Sequence, residues 1–215
     1  MADDTSTTIG EVPEQRTGAA PASFGFRPAI PAPDGAPTTD ATPPPSSATP
    51  LADAERTASP PTGVPATPGT PVRVRVGSID VDAPVVPVAL EPSGAMELPP
   101  DVREVGWFAP GVAPGTAQGS AVLAGHVDSR AQGRGALFDL GEVELGDVIE
   151  VDDDTGTTRR WLVTGRTTYP KDTLPVEALF TRAGDPQLVL ITCGGDFDRD
   201  TGHYERNVVV VASPA

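Results

Sequence analysis

Hydrophobic positions from Val72 onward fall into short runs that are broken by Gly, Pro and Asp. Short runs rich in Val and Ile, bounded by turn-forming residues, are typical of β-strands. We therefore predict an all-β domain of seven or eight strands, either a closed barrel or a sandwich. The runs are Val72–Val76, Val85–Leu90, Ser120–Ala124, Asp147–Val151, Arg160–Thr168, Gln187–Thr192 and Asn207–Ala212.

Two segments between these runs carry a weak helical pattern. Ala136–Leu140 and Pro175–Phe180 each predict one or two helical turns. Proline suits the start of the second segment, because the first N–H groups of a helix have no acceptor within the helix. Helices this short would connect strands rather than form a layer.

Residues 1–71 differ in composition from the rest of the chain. They hold 15 of the 26 prolines and few large apolar side chains. Such a segment buries too little apolar surface to offset the entropy lost when its backbone is ordered. We therefore predict a disordered, proline-rich tail or spacer over residues 1–71 and one folded domain over residues 72–215.

Charge and hydropathy exclude several classes of partner. Acidic residues number 30 against 15 basic ones, and residues 72–215 keep this excess with 22 against 12. A strongly acidic domain is unsuited to nucleic acid. No run approaches the ~20 apolar residues of a membrane span, and no signal-peptide pattern begins the chain. We expect a soluble monomer with no membrane span in this chain.

Cysteine and acidic residues offer little for a metal or cofactor site. One cysteine excludes an intramolecular disulfide and a paired-cysteine zinc site. The run Asp152–Asp154 is more typical of a solvated hairpin turn than of a calcium site. We predict no metal and no cofactor.

The single cysteine, Cys193, has a location that suits a nucleophile. It follows the apolar run that ends at Thr192 and precedes Gly194 and Gly195. A strand end would hold the sulfur rigidly, while two glycines leave room for the backbone of a substrate. The plainer interpretation is a buried cysteine that acts as a small hydrophobic residue.

His126 lies in a similar position, after Gly125 at the end of another apolar strand. A sulfur nucleophile needs a base for its proton, and imidazole titrates in the suitable range near neutral pH. The other histidine, His203, lies in a polar stretch that we interpret as a surface loop. His126 is therefore the preferred acid/base candidate.

Arg206 begins the last predicted strand. A guanidinium group there could donate hydrogen bonds to the oxyanion that forms when sulfur attacks a carbonyl. Alone, the arginine is better explained as an exposed charge at a strand end. The order His126, Cys193, Arg206, with separations of 67 (193 − 126) and 13 (206 − 193) residues at strand ends, favours a joint function.

This order resembles the sortase family, and the local sequence resembles the class F sortases over Val72–Ala212. The matching words are Leu-Ala-Gly-His-Val-Asp-Ser from Leu123, Gly-Ala-Leu-Phe from Gly135 with Leu140 after it, Leu-Gly-Asp from Leu145, Leu-Ile-Thr-Cys-Gly-Gly from Leu190, Phe197-Asp198, and Tyr204 with Asn-Val-Val-Val from Asn207. The Thr-Cys-Gly-Gly word with an upstream Gly-His is the most specific of these.

The resemblance implies a closed eight-stranded sortase-type β-barrel with one or two short helices. It also implies a cysteine transpeptidase at the cell surface that cleaves a C-terminal sorting signal of the Leu-Pro-x-Thr-Gly (LPxTG) type. The thioacyl-enzyme would be resolved by an amine from a cell-wall precursor, or slowly by water. In this scheme Cys193 is the nucleophile, His126 the acid/base and Arg206 the oxyanion donor.

Four further residues are candidates for supporting functions. Thr192 could assist through its hydroxyl or backbone, and Asp128 could orient the imidazole of His126. Arg199 is the alternative to Arg206, because Glu205 stands where class F members have an arginine after the tyrosine, and adjacent strand residues face opposite ways. Asn207 could face the site instead. Family members also carry an N-terminal membrane anchor, which is not visible here.

Competing interpretations differ in what Cys193 does. A non-catalytic sortase-fold binding module of the cell envelope would leave the thiol unreactive. An L,D-transpeptidase has His and Gly immediately before its cysteine, where this chain has Ile191 and Thr192. A papain-like protease has its cysteine before its histidine, the reverse of the order here.

Overall fold

The computed structural model describes residues 8–12, 67–199 and 203–215. Apart from Thr67, these residues belong to one compact unit, and the second unit, Ile30–Thr67, otherwise lies outside the described residues. The strands are β1 (Ile9–Gly10), β2 (Pro71–Val76), β3 (Val81–Val88), β4 (Val105–Phe108), β5 (Ser120–Gly125), β6 (Asp128–Ser129), β7 (Gly133–Arg134), β8 (Val148–Asp153), β9 (Thr158–Pro170), β10 (Gln187–Asp198) and β11 (His203–Pro214).

Eight of the strands form a closed β-barrel, which confirms the predicted fold class. Their order around the barrel is β9-β11-β10-β5-β4-β3-β2-β8, and pairing of β8 with β9 closes it. The pairs β10–β5 and β3–β4 are parallel, and the other neighbours in the barrel are antiparallel. Strand β1 adds to the edge of β9, and β6 with β7 makes a separate hairpin.

Helical structure is sparse in the described residues, as the sequence predicts. One α-helix, α1, spans Val176–Leu179 within the predicted segment Pro175–Phe180. Ala136–Leu140 forms turns that lead into a 3₁₀ turn at Leu140–Glu142 rather than a helix of its own. Further 3₁₀ turns lie at Gly77–Ile79 and Lys171–Thr173.

The barrel interior is filled by the inward-facing residues of the strands and by the turns after β7. Leu188 and Leu190 from β10 and Val210 from β11 are fully buried there. Leu137 and Leu140 are also fully buried, so the connection that follows the β6–β7 hairpin is packed against the core. The backbone N–H of Leu137 also donates to the carbonyl of His126 at 3.4 Å, so this buried connection contacts the residue that follows β5.

The predicted tail falls mostly outside the described residues. Where it is described, β2 begins at Pro71, one residue before the predicted domain boundary, and residues 8–12 lie along β9. Ile9 is opposite Arg166 and Gly10 is opposite Gly165. The disorder expected for residues 1–71 stays a prediction for the remainder.

The acidic run Asp152–Asp154 ends β8 and begins the hairpin to β9, as predicted. Asp153 is 5% exposed rather than solvated, and it accepts hydrogen bonds from Thr155 and Arg159. Burial raises the pKa of this carboxyl, but these bonds and those from the backbone outweigh burial and hold the pKa well below its usual range. The carboxylate therefore acts as a hairpin anchor.

Candidate active site

Parallel pairing brings Cys193 and His126 to the same edge of the barrel. The last residue pair between β10 and β5 is Thr192 with Gly125. Cys193 continues β10 after Thr192, and His126 is the first residue after the end of β5, so both begin at the level where the pairing ends. Strand register thus brings two residues separated by 67 positions in the sequence to the same edge of the barrel.

Thr192 ties these two strand ends together. Its hydroxyl donates to the carbonyl of Gly125 at 3.0 Å, and the side chain is 3% exposed. A buried hydrogen bond of this kind fixes the spacing of the two strands at the point where the two candidate catalytic residues begin. Thr192 is therefore a structural support of the site.

Antiparallel pairing places the last strand beside Cys193. Cys193 is directly opposite Asn207, and Gly194 is directly opposite Arg206. Residues directly opposite each other in an antiparallel pair have their side chains on the same face, so Asn207 shares the face of Cys193. Arg206 starts from the other face, because side chains alternate along a strand.

A bulge in β10 changes this alternation just after the cysteine. The register of β10 on β11 shifts between Gly194 and Phe197, and Gly195 has φ +75°. A Cβ atom on Gly195 would come within 3.0 Å of three side-chain carbons of Arg206, so the stem of the arginine lies against the bare glycine backbone. The second glycine after the cysteine is therefore needed both for its backbone conformation and for the approach of Arg206.

The thiol of Cys193 is free and half-buried. Burial raises its pKa, the positive charge of Lys171 lowers it, and the carboxylate of Asp128 raises it, with an upward net shift. Lys171 begins the 3₁₀ turn that follows β9. Cys193 is consequently a neutral thiol near neutral pH and needs a base before it can react.

His126 is held by the loop that precedes β4. Its Nε2 donates to the carbonyl oxygen of Pro99 at 3.0 Å. A carbonyl can only accept, so Nε2 carries the proton and the other ring nitrogen, Nδ1, is the acceptor in the neutral imidazole. The backbone of Gly135 packs closely on His126, because a Cβ atom there would lie 2.2 Å from the carbonyl oxygen of His126.

The remaining predicted residues differ in their contacts and in their exposure to solvent. Asp128 accepts a hydrogen bond from the hydroxyl of Tyr204 at 2.7 Å. Arg199 is exposed in the turn that ends β10, beyond the bulge. Asn207 is 2% exposed, and its Nδ2 has no hydrogen-bond partner among the described residues. The side chain of His203 lies outside the described part of the structure, although its backbone begins β11.

Two residues of this region were not predicted from the sequence. Tyr204 lies beside the site because its strand, β11, pairs with β10. Lys171 lies there because it begins the 3₁₀ turn after β9. Tyr204 belongs to the sequence motifs that resemble the class F sortases but had no predicted function, and no local pattern marks Lys171.

The described residues contain neither a cluster of metal ligands nor a membrane-spanning helix. No group of three His, Cys, Asp or Glu side chains there could hold a metal ion. Within the same residues, no helix has the length and apolar character needed to cross a bilayer.

Comparison with known proteins decides the family. The sortase-domain family model matches residues 74–215, which contain the whole barrel except the first residues of β2. The chain belongs to the sortase family. Family membership implies cysteine transpeptidase activity, which accords with the meeting of a cysteine and a histidine at one barrel edge.

Solved sortases share the fold of this sortase at low sequence identity. Sortase C1 of Streptococcus suis is 19% identical with a TM-score of 0.52, and the match covers 68% of this chain and 73% of that one. Sortase C2 of pilus island 1 of group B Streptococcus is 18% identical with a TM-score of 0.51, covering 67% and 73%. Sortase C-1 of Actinomyces oris is 21% identical with a TM-score of 0.49, covering 67% and 73%. No curated protein matches the chain.

Proposed function

We propose that this sortase is a class F-type cysteine transpeptidase that cleaves LPxTG-type sorting signals and transfers the product to an amine. The observation that supports the proposal is the parallel register of β10 on β5, whose last pair, Thr192 with Gly125, directly precedes Cys193 and His126 at the barrel edge. The class F assignment rests on the short sequence motifs around His126 and Cys193.

The reaction begins with proton transfer from the thiol. Nδ1 of His126 takes the proton of Cys193, and the sulfur attacks the carbonyl carbon of the threonine in the sorting signal. The C–N bond to the following glycine then breaks, the imidazolium returns its proton to the leaving amine, and a thioester to Cys193 remains. An incoming amine, or water, attacks the thioester and regenerates the thiol.

The raised pKa of Cys193 makes the imidazole essential in this scheme. A buried thiol is largely protonated near neutral pH, so the thiolate–imidazolium pair is a minor population. The Pro99 carbonyl fixes the ring so that Nδ1 is the nitrogen free to accept the proton. Because His126 accepts the proton directly, Cys193 can react without having a low pKa of its own.

Arg206 and Asn207 are the proposed donors to the carbonyl oxygen of the substrate. The side-chain carbons of Arg206 lie against the bare backbone of Gly195, two residues after the nucleophile. Asn207 shares the face of Cys193, and its buried Nδ2 is unpartnered among the described residues. A buried donor without an acceptor is costly unless a ligand uses it, so the amide suits an oxyanion or a substrate carbonyl.

The biological setting follows from this chemistry. Substrates would be surface proteins with C-terminal sorting signals, and the acceptor amine would come from a cell-wall precursor. The enzyme would therefore work at the extracytoplasmic cell surface, as a monomer and without a cofactor.

A peptide library tests the proposed substrate class. The enzyme would be incubated with peptides that vary each position of Leu-Pro-x-Thr-Gly, with and without candidate amines, and the products identified by mass spectrometry. We expect cleavage between Thr and Gly and a new amide when an amine is present. Absence of both products with an active thiol would contradict the proposed specificity.

A further inference from the structure

The loop that carries His126 and the hairpin that carries Cys193 are joined by a side-chain hydrogen bond. The hydroxyl of Tyr204 donates to Oδ2 of Asp128 at 2.7 Å, across 76 positions of the sequence. Asp128 is two residues after His126, in the short strand β6. Tyr204 is two residues before Arg206, in β11.

Tyr204 is itself held in place by the opposite strand. It pairs with Phe197 just beyond the bulge that follows Cys193, and the two rings meet edge to face with centroids 5.2 Å apart. Phe197 is 51% exposed, so the phenylalanine ring that contacts Tyr204 lies at the protein surface. An edge-to-face pair of this kind is a favourable aromatic contact that holds the tyrosine ring in place.

Tyr204 stays protonated near neutral pH, so its hydrogen bond to Asp128 persists at that pH. The hydrogen bond to Asp128 and, second, burial raise the pKa of Tyr204 to about 12. The phenol therefore retains its proton near neutral pH and can act only as a donor to the carboxylate. A hydrogen bond to a charged acceptor is stronger than one between neutral groups.

We propose that Tyr204 and Asp128 are positioning residues that hold the His126 loop against the β10–β11 hairpin, and so set the approach of Nδ1 to the thiol. The proposal rests on the proposed function of His126 as the base for Cys193. The Pro99 carbonyl fixes one side of the imidazole. The Tyr204–Asp128 contact ties the loop, two residues after His126, to the β10–β11 hairpin.

The geometry distinguishes this function from general stabilisation of the fold. The barrel strands are already joined at Thr192 and Gly125, one residue before the site. The Tyr204–Asp128 bond lies beyond that point, where β5 and β10 no longer pair. Its loss should therefore change the relative position of His126 and Cys193 while leaving the barrel core unaltered.

Thiol alkylation by iodoacetamide tests the proposal without a peptide substrate. Second-order rate constants near neutral pH would be measured for the wild type, Tyr204→Phe, Asp128→Ala, His126→Ala and the double variant Tyr204→Phe/His126→Ala. We expect Tyr204→Phe to lower the rate about tenfold, since a small misplacement of a catalytic group is costly. Asp128→Ala should lower it less, because the same change removes the carboxylate that raises the pKa of the thiol. In the His126→Ala background, Tyr204→Phe should have no further effect.

Two further variants serve as controls. Ser78→Ala removes another 2.7 Å hydroxyl–carboxylate bond, to Asp147 at the β7–β8 connection, and should leave the alkylation rate unchanged. Asp128→Asn keeps an acceptor oxygen for Tyr204 and should retain more reactivity than Asp128→Ala. Thermal unfolding of each variant shows whether the barrel remains folded.

The outcomes separate the inference from the proposed function. An alkylation rate of Tyr204→Phe equal to the wild type, or a decrease that persists in the His126→Ala background, would overturn the inference. Failure of the wild type to cleave any sorting-signal peptide would overturn the substrate proposal, while the alkylation rates would still decide the positioning function.

Discussion

At the scale of single residues, the site combines a nucleophile found from sequence with contacts that only the fold reveals. Cys193 and His126 were predicted because each follows a strand-like run and stands beside glycine. The contact of Asp128 with Tyr204 was not predicted, because it joins residues 76 positions apart and leaves no local pattern. Local sequence motifs identify the reacting residues, whereas the residues that orient them are brought close only by the pairing of distant strands.

The thiol pKa gives a prediction with a definite sign. Burial raises the pKa of Cys193, Lys171 lowers it and Asp128 raises it. Titration of the thiolate absorbance, with Cys193→Ala as baseline, should therefore give a midpoint above the ordinary value of about 8.5 for a free cysteine. Lys171→Ala should move the midpoint further up, and Asp128→Asn should move it down. A midpoint below 7 in the wild type, as in strongly activated thiols, would contradict this account.

Arg206 gives a prediction about the transition state. If it donates to the developing oxyanion, Arg206→Ala should lower kcat by about 10²–10³-fold and change KM much less. Lysine at this position should rescue little, because a point charge cannot reproduce the planar guanidinium. The measurement is steady-state kinetics on a sorting-signal peptide.

The matched variants for this test are Arg199→Ala and Asn207→Ala. The exposed Arg199 should tolerate alanine, whereas Asn207, on the face of Cys193, should not. A nearly silent Arg206→Ala beside a strongly impaired Arg199→Ala would assign the oxyanion function to the turn after β10. Ser120→Ala, which removes another buried and unpartnered polar atom of the described chain, controls for burial alone.

At the scale of elements, the seven predicted runs all form strands, and the differences have physical causes. Strand β4 was not predicted because it has only four residues, three of them buried, and lacks a polar–apolar alternation. Strands β10 and β11 extend past their apolar runs to Asp198 and back to His203, because the hairpin pairs their polar ends. Strand β1 was not predicted because two residues carry no periodicity, and pairing with β9 alone defines them.

Strand β1 gives a prediction about the edge of β9. The backbone N–H of Glu11 donates to Thr164 at 2.9 Å, and a Cβ atom on Gly165 would lie 2.3 Å from the carbonyl oxygen of Glu11. Gly165→Ala should therefore displace β1 and lower Tm by a few degrees, since about 1 kcal/mol corresponds to about 2–4 °C in a domain of this size. Differential scanning calorimetry measures the shift.

The control for this prediction is the same substitution in a chain that lacks residues 1–12. There, Gly165→Ala should be neutral, because the backbone that it would contact has been removed. Peptide turnover should survive removal of residues 1–71, since those residues supply few core side chains. Equal destabilisation by Gly165→Ala in both chains would show that the glycine is needed within the barrel rather than for β1.

At the scale of the whole molecule, the barrel brings together pieces that are distant in sequence. Its closure depends on pairing of β2 with β8 and β8 with β9, and the site depends on β5 lying parallel to β10. Alternation of apolar residues predicts strands but not their neighbours, so the sequence alone left barrel and sandwich open. The family resemblance distinguished them, and the closed barrel agrees with it.

Intact-mass spectrometry of the enzyme with a Leu-Pro-x-Thr-Gly peptide tests the central claim most directly. During turnover without an added amine, the wild type should carry the acyl part of the peptide ending at threonine, and tandem analysis should assign it to Cys193. Cys193→Ala should carry none, and His126→Ala should accumulate far less, because proton transfer to the leaving amine precedes the thioester. Peptide cleavage that continues in Cys193→Ala, or an adduct on any other residue, would contradict the account.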